Sequence, residues 1–122
     1  MNKDNVFEQL GVSEAVYRFG EVLLIYAEAK AELGEMSEEV WDKTIKPLRE
    51  RAGVDGTRPT QIDEYLQNAY YSAEDGNPKI TDCDILEIRR ERAIELLLEG
   101  RRYDDLMRWH LGGLLNKQWY AI

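Results

Sequence analysis

Glu87, Glu91, Glu95 and Glu99 recur at intervals of four and would stand as a column of carboxylates on one face of a helix. Paired carboxylates in a cleft can do acid/base work or hold a divalent cation, but like charges at i and i+4 repel unless something positive answers them. Arg92, Arg101, Arg102 and Arg108 are close in sequence, and Arg18, Arg49 and Arg51 come within reach if two helix pairs pack together. So much arginine competes with a metal and favours an ion-pair network tying the last helices to the first pair, with Glu95 expected to hold a buried arginine. His110, the one histidine, directly follows Trp109 and has no assigned role. No GxSxG elbow, phosphate-cradling glycine loop, HExxH pair or dinucleotide fingerprint occurs, so the expectation is no enzyme, no cofactor and no metal site.

Aromatic rings are the other chemistry on offer, because their faces can stack on sugars. Trp41 and Trp109 fall on apolar stripes and are assigned to packing, as are most of the tyrosines. Tyr70 and Tyr71 stand side by side in a polar stretch read as a loop, which makes them the candidate ligand-binding rings. Asp82 and Asp84 flank Cys83 and read as helix-capping carboxylates. A single cysteine allows no internal disulfide, no CxxC redox pair and no zinc cluster.

The elements that must position these residues are helices. From a cap at Ser13, Val16, Phe19, Leu23, Tyr26 and Leu33 recur at three- or four-residue steps until Gly34. Ser37 opens a second helix carrying Trp41, Ile45, Leu48 and Ala52 up to Gly53, with Pro47 inside it predicting a kink or a restart. Residues 54–80 form a long, polar connection containing a short helix capped by Thr60, with Ile62, Tyr65, Leu66 and Ala69 on its apolar face, and then a turn over Glu74–Lys79. The strongest helix runs from Asp82 or Asp84 to Glu99, with Gly100 in a left-handed conformation as hinge. Another runs from Arg102 to about His110, with Leu106 and Trp109 turned inward and Asp104 or Asp105 favouring its first turn. The reading is one all-α domain over 1–122: a helix pair over 13–53, the connection 54–80, a second pair over 82–112, and a docking tail over 113–122. Paired helices suggest a tetratricopeptide-like scaffold, although the 34-residue period and its tryptophan-to-proline pattern are missing.

Composition bounds the function. The 122 residues are 43% hydrophobic and 33% charged, as expected of a folded chain, and the formal charge of -8 repels nucleic acid and anionic lipid. The longest apolar run, Val22 to Ala27, is far too short to cross a bilayer, and no leader opens the chain.

Two blocks resemble a known family. Tyr17 to Gly53, YRFGEVLLIYAEAKAELGE…IKPLRERAG, is similar to the "RYAEVLLIYAEA…IRxRAG" block of SusD/RagB-like proteins. Ile85 to Trp109, ILEIRRERAIELLLEGRRYDDLMRW, is similar to their "I…ERxxELxxEGxRxxDLxRW" block. Together the blocks span about half of the chain, in the family's order; Gly20 stands where alanine is usual and Lys46 where asparagine is frequent. The matching positions include Arg18, Arg49, Arg51, Glu91, Glu95, Glu99, Gly100, Arg102 and Trp109, a structural motif in this reading. The resemblance implies an outer-membrane, cell-surface lipoprotein of Bacteroidetes-type bacteria that captures glycans or other nutrients and caps a SusC-like, TonB-dependent transporter. Family members are several times longer, so the resemblance implies the C-terminal helical part of such a protein, with the lipid anchor and most ligand loops upstream. No ligand residue of the family maps onto this chain. A generic helical-repeat module for protein partners is the alternative, and a carboxylate-based hydrolase is a third.

Overall fold

The computed structural model describes residues 18–70 and 80–116. They form six α-helices, α1 Phe19–Glu32, α2 Glu38–Lys43, α3 Ile45–Arg51, α4 Glu64–Tyr70, α5 Cys83–Glu95 and α6 Arg102–Arg108, followed by a 3-10 helix, Gly112–Asn116. No strand occurs among the described residues, and the fold is all-α.

Helix α1 begins later than its periodicity suggests. Arg18 is in extended backbone, with φ −77° and ψ 162°, so the helix starts at Phe19; Val16 and the expected cap at Ser13 lie outside the described residues. Gly34, at φ +71°, follows its end as expected. The buried face is one residue over from the expected stripe: Gly20, Glu21, Leu24, Ala27 and Ala31 turn inward, while Phe19, Tyr26 and Leu33 are exposed. The apolar run Val22 to Ala27 covers every side of the helix, so its period does not choose a face. The small residues Gly20, Ala27 and Ala31 do, because they let α1 lie close against α5, its most extensive packing partner.

Ser37 caps α2, its hydroxyl accepting from the Val40 amide at 3.2 Å. The expected break occurs at Thr44, where φ −116° and ψ −76° separate α2 from α3. Proline at position 47 has no amide to give and its ring opposes the carbonyl of Lys43, so the helix stops and restarts with Pro47 in the first turn, where a missing donor is harmless. Trp41, Ile45 and Leu48 are buried as expected, whereas Ala52 is exposed beyond the helix end. The indole of Trp41 donates to the carbonyl of Gly56 at 2.9 Å, pinning the start of the connection against α3.

Asp63, not Thr60, caps α4, accepting from the Leu66 amide at 3.1 Å. That register puts Leu66 inside and Tyr65 outside, where the sequence pattern placed both on the apolar face. The turn expected over Glu74–Lys79 lies outside the described residues.

Asp82 caps α5 through the Ile85 amide at 3.1 Å. This helix ends at Glu95, four residues before the expected Glu99. The carbonyl of Glu95, which a continuing helix would offer to the amide of Glu99, accepts from Arg18 Nη2 at 2.9 Å. Glu99 turns instead to the Leu96 carbonyl at 3.1 Å. The chain reverses through Leu98 at φ +65° and Gly100 at φ +76° before α6 starts. Helix α6 stops at Arg108, short of the expected His110, which adopts φ +59° and leads into the 3-10 helix. Of the tail, Leu114 is buried and residues 117–122 lie outside the described part.

Two apolar clusters result. Leu24, Ala27, Ala31, Trp41, Ile45, Leu48, Ile88 and Leu96 join α1, α2, α3 and α5, and Leu66, Leu86, Leu106, Trp109, Leu111 and Leu114 join α4 and α6 to the other side of α5. Helix α5 is therefore the central element, feeding Ile88 to one cluster and Leu86 to the other.

Candidate functional site

The carboxylate column divides into a buried and a rim half. Glu87 and Glu91 are buried and converge on Arg49 of α3, whose Nη2 lies 2.6 Å from Glu87 Oε2 and whose Nε lies 2.9 Å from Glu91 Oε2. The guanidinium also stands 5.4 Å from the ring centre of Trp41. Burial pulls the Arg49 pKa down, but the hydrogen bonds and charges of the two glutamates outweigh it, leaving it above the ordinary arginine value.

Glu95 and Glu99 belong to the rim. Glu95 accepts from Arg51 and from Arg18, the latter at 3.3 Å, and Glu99 accepts from Arg18 Nε at 2.7 Å. The Arg18 and Arg51 side chains are 35% and 60% exposed, so Glu95 does not hold a buried arginine; that role falls to Glu87 and Glu91. The hydrogen bond from Arg18, reinforced by its charge, holds the Glu99 carboxyl below the ordinary glutamate value.

A second group links α1, α5 and α6. Arg92 donates to the buried Asp105 at 2.7 Å and lies 3.6 Å from Glu21, which also meets Arg101 at 3.2 Å. Asp105 is thus committed to an interior ion pair, beyond any effect on its helix end. Trp109 Nε1 donates to Glu28 at 2.7 Å, Arg108 meets the same carboxylate at 2.8 Å, and Arg89 and Arg108 lie 4.7 and 4.8 Å from the indole ring centre. These contacts hold Arg18, Arg49, Arg51, Glu91, Glu95, Glu99 and Trp109 in place. Gly100 serves the reversal between α5 and α6.

Arg102 stands apart. It has no ion pair among the described residues, and its Nη1 is buried without a hydrogen-bond partner. It lines an open groove of about 300 Å³ with Asp63, Tyr65, Leu66, Arg89, Arg90, Ala93 and Ile94. The Tyr65 ring is 82% exposed at this groove. Sequence periodicity assigned that ring to packing; the aspartate three residues before Leu66 was the signal for the true register. The two rings favoured from sequence fare differently. Tyr70 is the last residue of α4 and not part of a loop, and Tyr71 lies outside the described residues.

The geometry weighs against a carboxylate hydrolase, because Glu87 and Glu91 are buried and both face Arg49. Among the described residues no cluster of three or more histidine, cysteine or acidic side chains is arranged to hold a metal ion, and no helix is long and apolar enough to cross a membrane. The Cys83 thiol is pushed up by burial and by the acidic groups around it, and its sulfur lies 3.3 Å from the Gln61 carbonyl.

A family model described as the SusD family matches residues 5–121. No curated protein and no solved structure matches the chain.

Proposed function

The chain belongs to the SusD family, and on that premise we propose that it is the non-catalytic helical scaffold of a surface glycan- or nutrient-binding protein that works with a TonB-dependent outer-membrane transporter. The match over residues 5–121 carries this reading. The chemistry agrees with it: the buried ionisable groups are spent on holding α1, α3, α5 and α6 together. A rigid scaffold of this kind presents binding loops and partner surfaces without reacting with anything. In the same reading the chain is one helical domain within a longer protein, reaching the membrane only through a lipid anchor carried elsewhere.

The test is isolation from the native host. A tagged longer protein carrying this chain should fractionate with the outer membrane, be cleaved by protease added to intact cells, and co-purify with a TonB-dependent transporter. A soluble, protease-protected protein without that transporter would refute the proposal. A second reading, a helical module for protein partners, is favoured by the exposed apolar stripe of Phe19, Val22 and Tyr26 on α1, continued by Leu33 at its end. It predicts a soluble partner whose capture is lost when Phe19 and Tyr26 are both replaced by serine.

A further inference from the structure

We propose that the groove between α4, α5 and the start of α6 is a subsite for a sugar carrying one carboxylate, a hexuronate unit. The inference rests on the nutrient-binding reading and adds to it a place and a ligand class. Two observations place it there. Arg102 brings a guanidinium to the groove with Nη1 buried and no hydrogen bond made, although a buried arginine donor left unpaired is costly. Arg90 lines the same groove, with Nη2 2.5 Å from Asp63 Oδ2 and 3.5 Å from Glu87 Oε1, and Nε buried and unpaired. Asp63 and Glu87 together answer Arg90, so Arg102 is the groove's cation without an ion pair among the described residues.

The ligand class follows from what surrounds that charge. Arginine offers two parallel N–H donors that match a carboxylate, and a partly buried setting strengthens such a bond. Ala93 and Ile94 give the groove an apolar floor, and the exposed Tyr65 ring provides a flat face for the C–H side of a pyranose. A volume of about 300 Å³ accommodates one or two sugar units. The net negative charge of the chain selects against densely charged polyanions and tolerates a single carboxylate.

Calorimetry on the 122-residue chain tests this with digalacturonate, its dimethyl ester and a sulfated digalactoside as probes. Digalacturonate should bind saturably and at least tenfold more tightly than either alternative. Arg102→Gln should weaken it at least tenfold, Tyr65→Ala should weaken it severalfold, and raising salt should weaken it further. Amide spectra of both variants matching the wild-type spectrum outside the groove show that the fold is retained. The inference is overturned if the ester binds as well as the acid, if the sulfated sugar binds better, if Arg102→Gln leaves affinity unchanged, or if no probe binds. Each of these outcomes leaves surface location and transporter co-purification untouched, so the family-based reading stands or falls separately.

Discussion

Replacing Arg49 by methionine is expected to be strongly destabilising. Methionine keeps most of the side chain's length and its apolar contact with Trp41 but removes the charge that answers both Glu87 and Glu91. Two interior carboxylates one helical turn apart are then left facing each other, with Arg90, 3.5 Å from Glu87, as the remaining ion-pair partner among the described residues. Breaking a buried ion pair by removing one partner costs about 3–5 kcal/mol, and the stacked guanidinium adds about 0.5–2 kcal/mol. Against a total stability of about 5–15 kcal/mol, the loss is a large fraction. With a urea slope of about 2 kcal/mol/M, a loss of about 4 kcal/mol moves the unfolding midpoint down by roughly 2 M. Glu95→Ala is the control: its arginines are water-exposed, so it should cost only about 1 kcal/mol and shift the midpoint by roughly 0.5 M. The triple variant Arg49→Met, Glu87→Leu, Glu91→Leu should recover most of the loss, since apolar replacement of a whole buried ion group is near neutral. If Arg49→Met unfolds within roughly 0.3 M of wild type, or if Glu95→Ala is the worse of the two, the division into buried and rim halves is wrong.

Gly56→Ala should destabilise by about 1–3 kcal/mol, because an added Cβ would lie 2.7 Å from Lys46 Cγ and 3.0 Å from the Lys46 carbonyl oxygen, next to the bond that Trp41 makes; a thermal melt indistinguishable from wild type would refute this. Gly100→Val meets open space but must hold φ +76°, so its cost is the backbone's, about 1–2 kcal/mol, and Gly100→Asn should melt closer to wild type. The Asp63 carboxyl is held below its ordinary value, first by the Leu66 amide and then by Arg90. Its stabilisation of α4 is therefore full above the unfolded value of about 3.9 and is lost as pH falls through the lower folded value. A pH titration of the Leu66 amide shift should show that transition, and Asp63→Ala should abolish it. Cys83, pushed above the ordinary thiol value by burial and neighbouring carboxylates, should react with a disulfide reagent near pH 8 more slowly than a free cysteine; equal or faster reaction would contradict that environment.

Much of the architecture was legible because local signals act alone. Ser37 needs only a nearby amide, Pro47 breaks a helix by its own chemistry, Gly34 and Gly53 take left-handed conformations just past helix ends, and Gly100 takes one in the reversal before α6. The family was legible too, because its two blocks concentrate arginine and glutamate at fixed spacings. What failed depended on partners distant in sequence. The end of α5 at Glu95 is satisfied by Arg18, 77 residues earlier, whose guanidinium donates to the Glu95 carbonyl, and the sequence of Glu95–Glu99 does not announce it. The groove was missed for a smaller reason: the cap of α4 sits at Asp63 and not Thr60, and that shift turns Tyr65 from packing to exposure.

The buried charges also account for how α1 finds its place. A helix that is apolar on every side from Val22 to Ala27 gains almost as much by burying one face as another, so hydrophobic burial alone leaves its rotation poorly determined. Charged residues remove the ambiguity. Glu21 must meet Arg92 and Arg101, Glu28 must meet Arg108 and the Trp109 indole, and the face toward Glu95 must carry a residue as small as Gly20, where an added Cβ would lie 2.9 Å from its Oε1. One rotation of α1 meets all of these demands, and it leaves Phe19, Tyr26 and Leu33 outside. An unpaired glutamate in the interior costs several kcal/mol, more than the apolar area exposed by leaving one ring at the surface. The exposed stripe on α1 is therefore the consequence of satisfying the ion pairs.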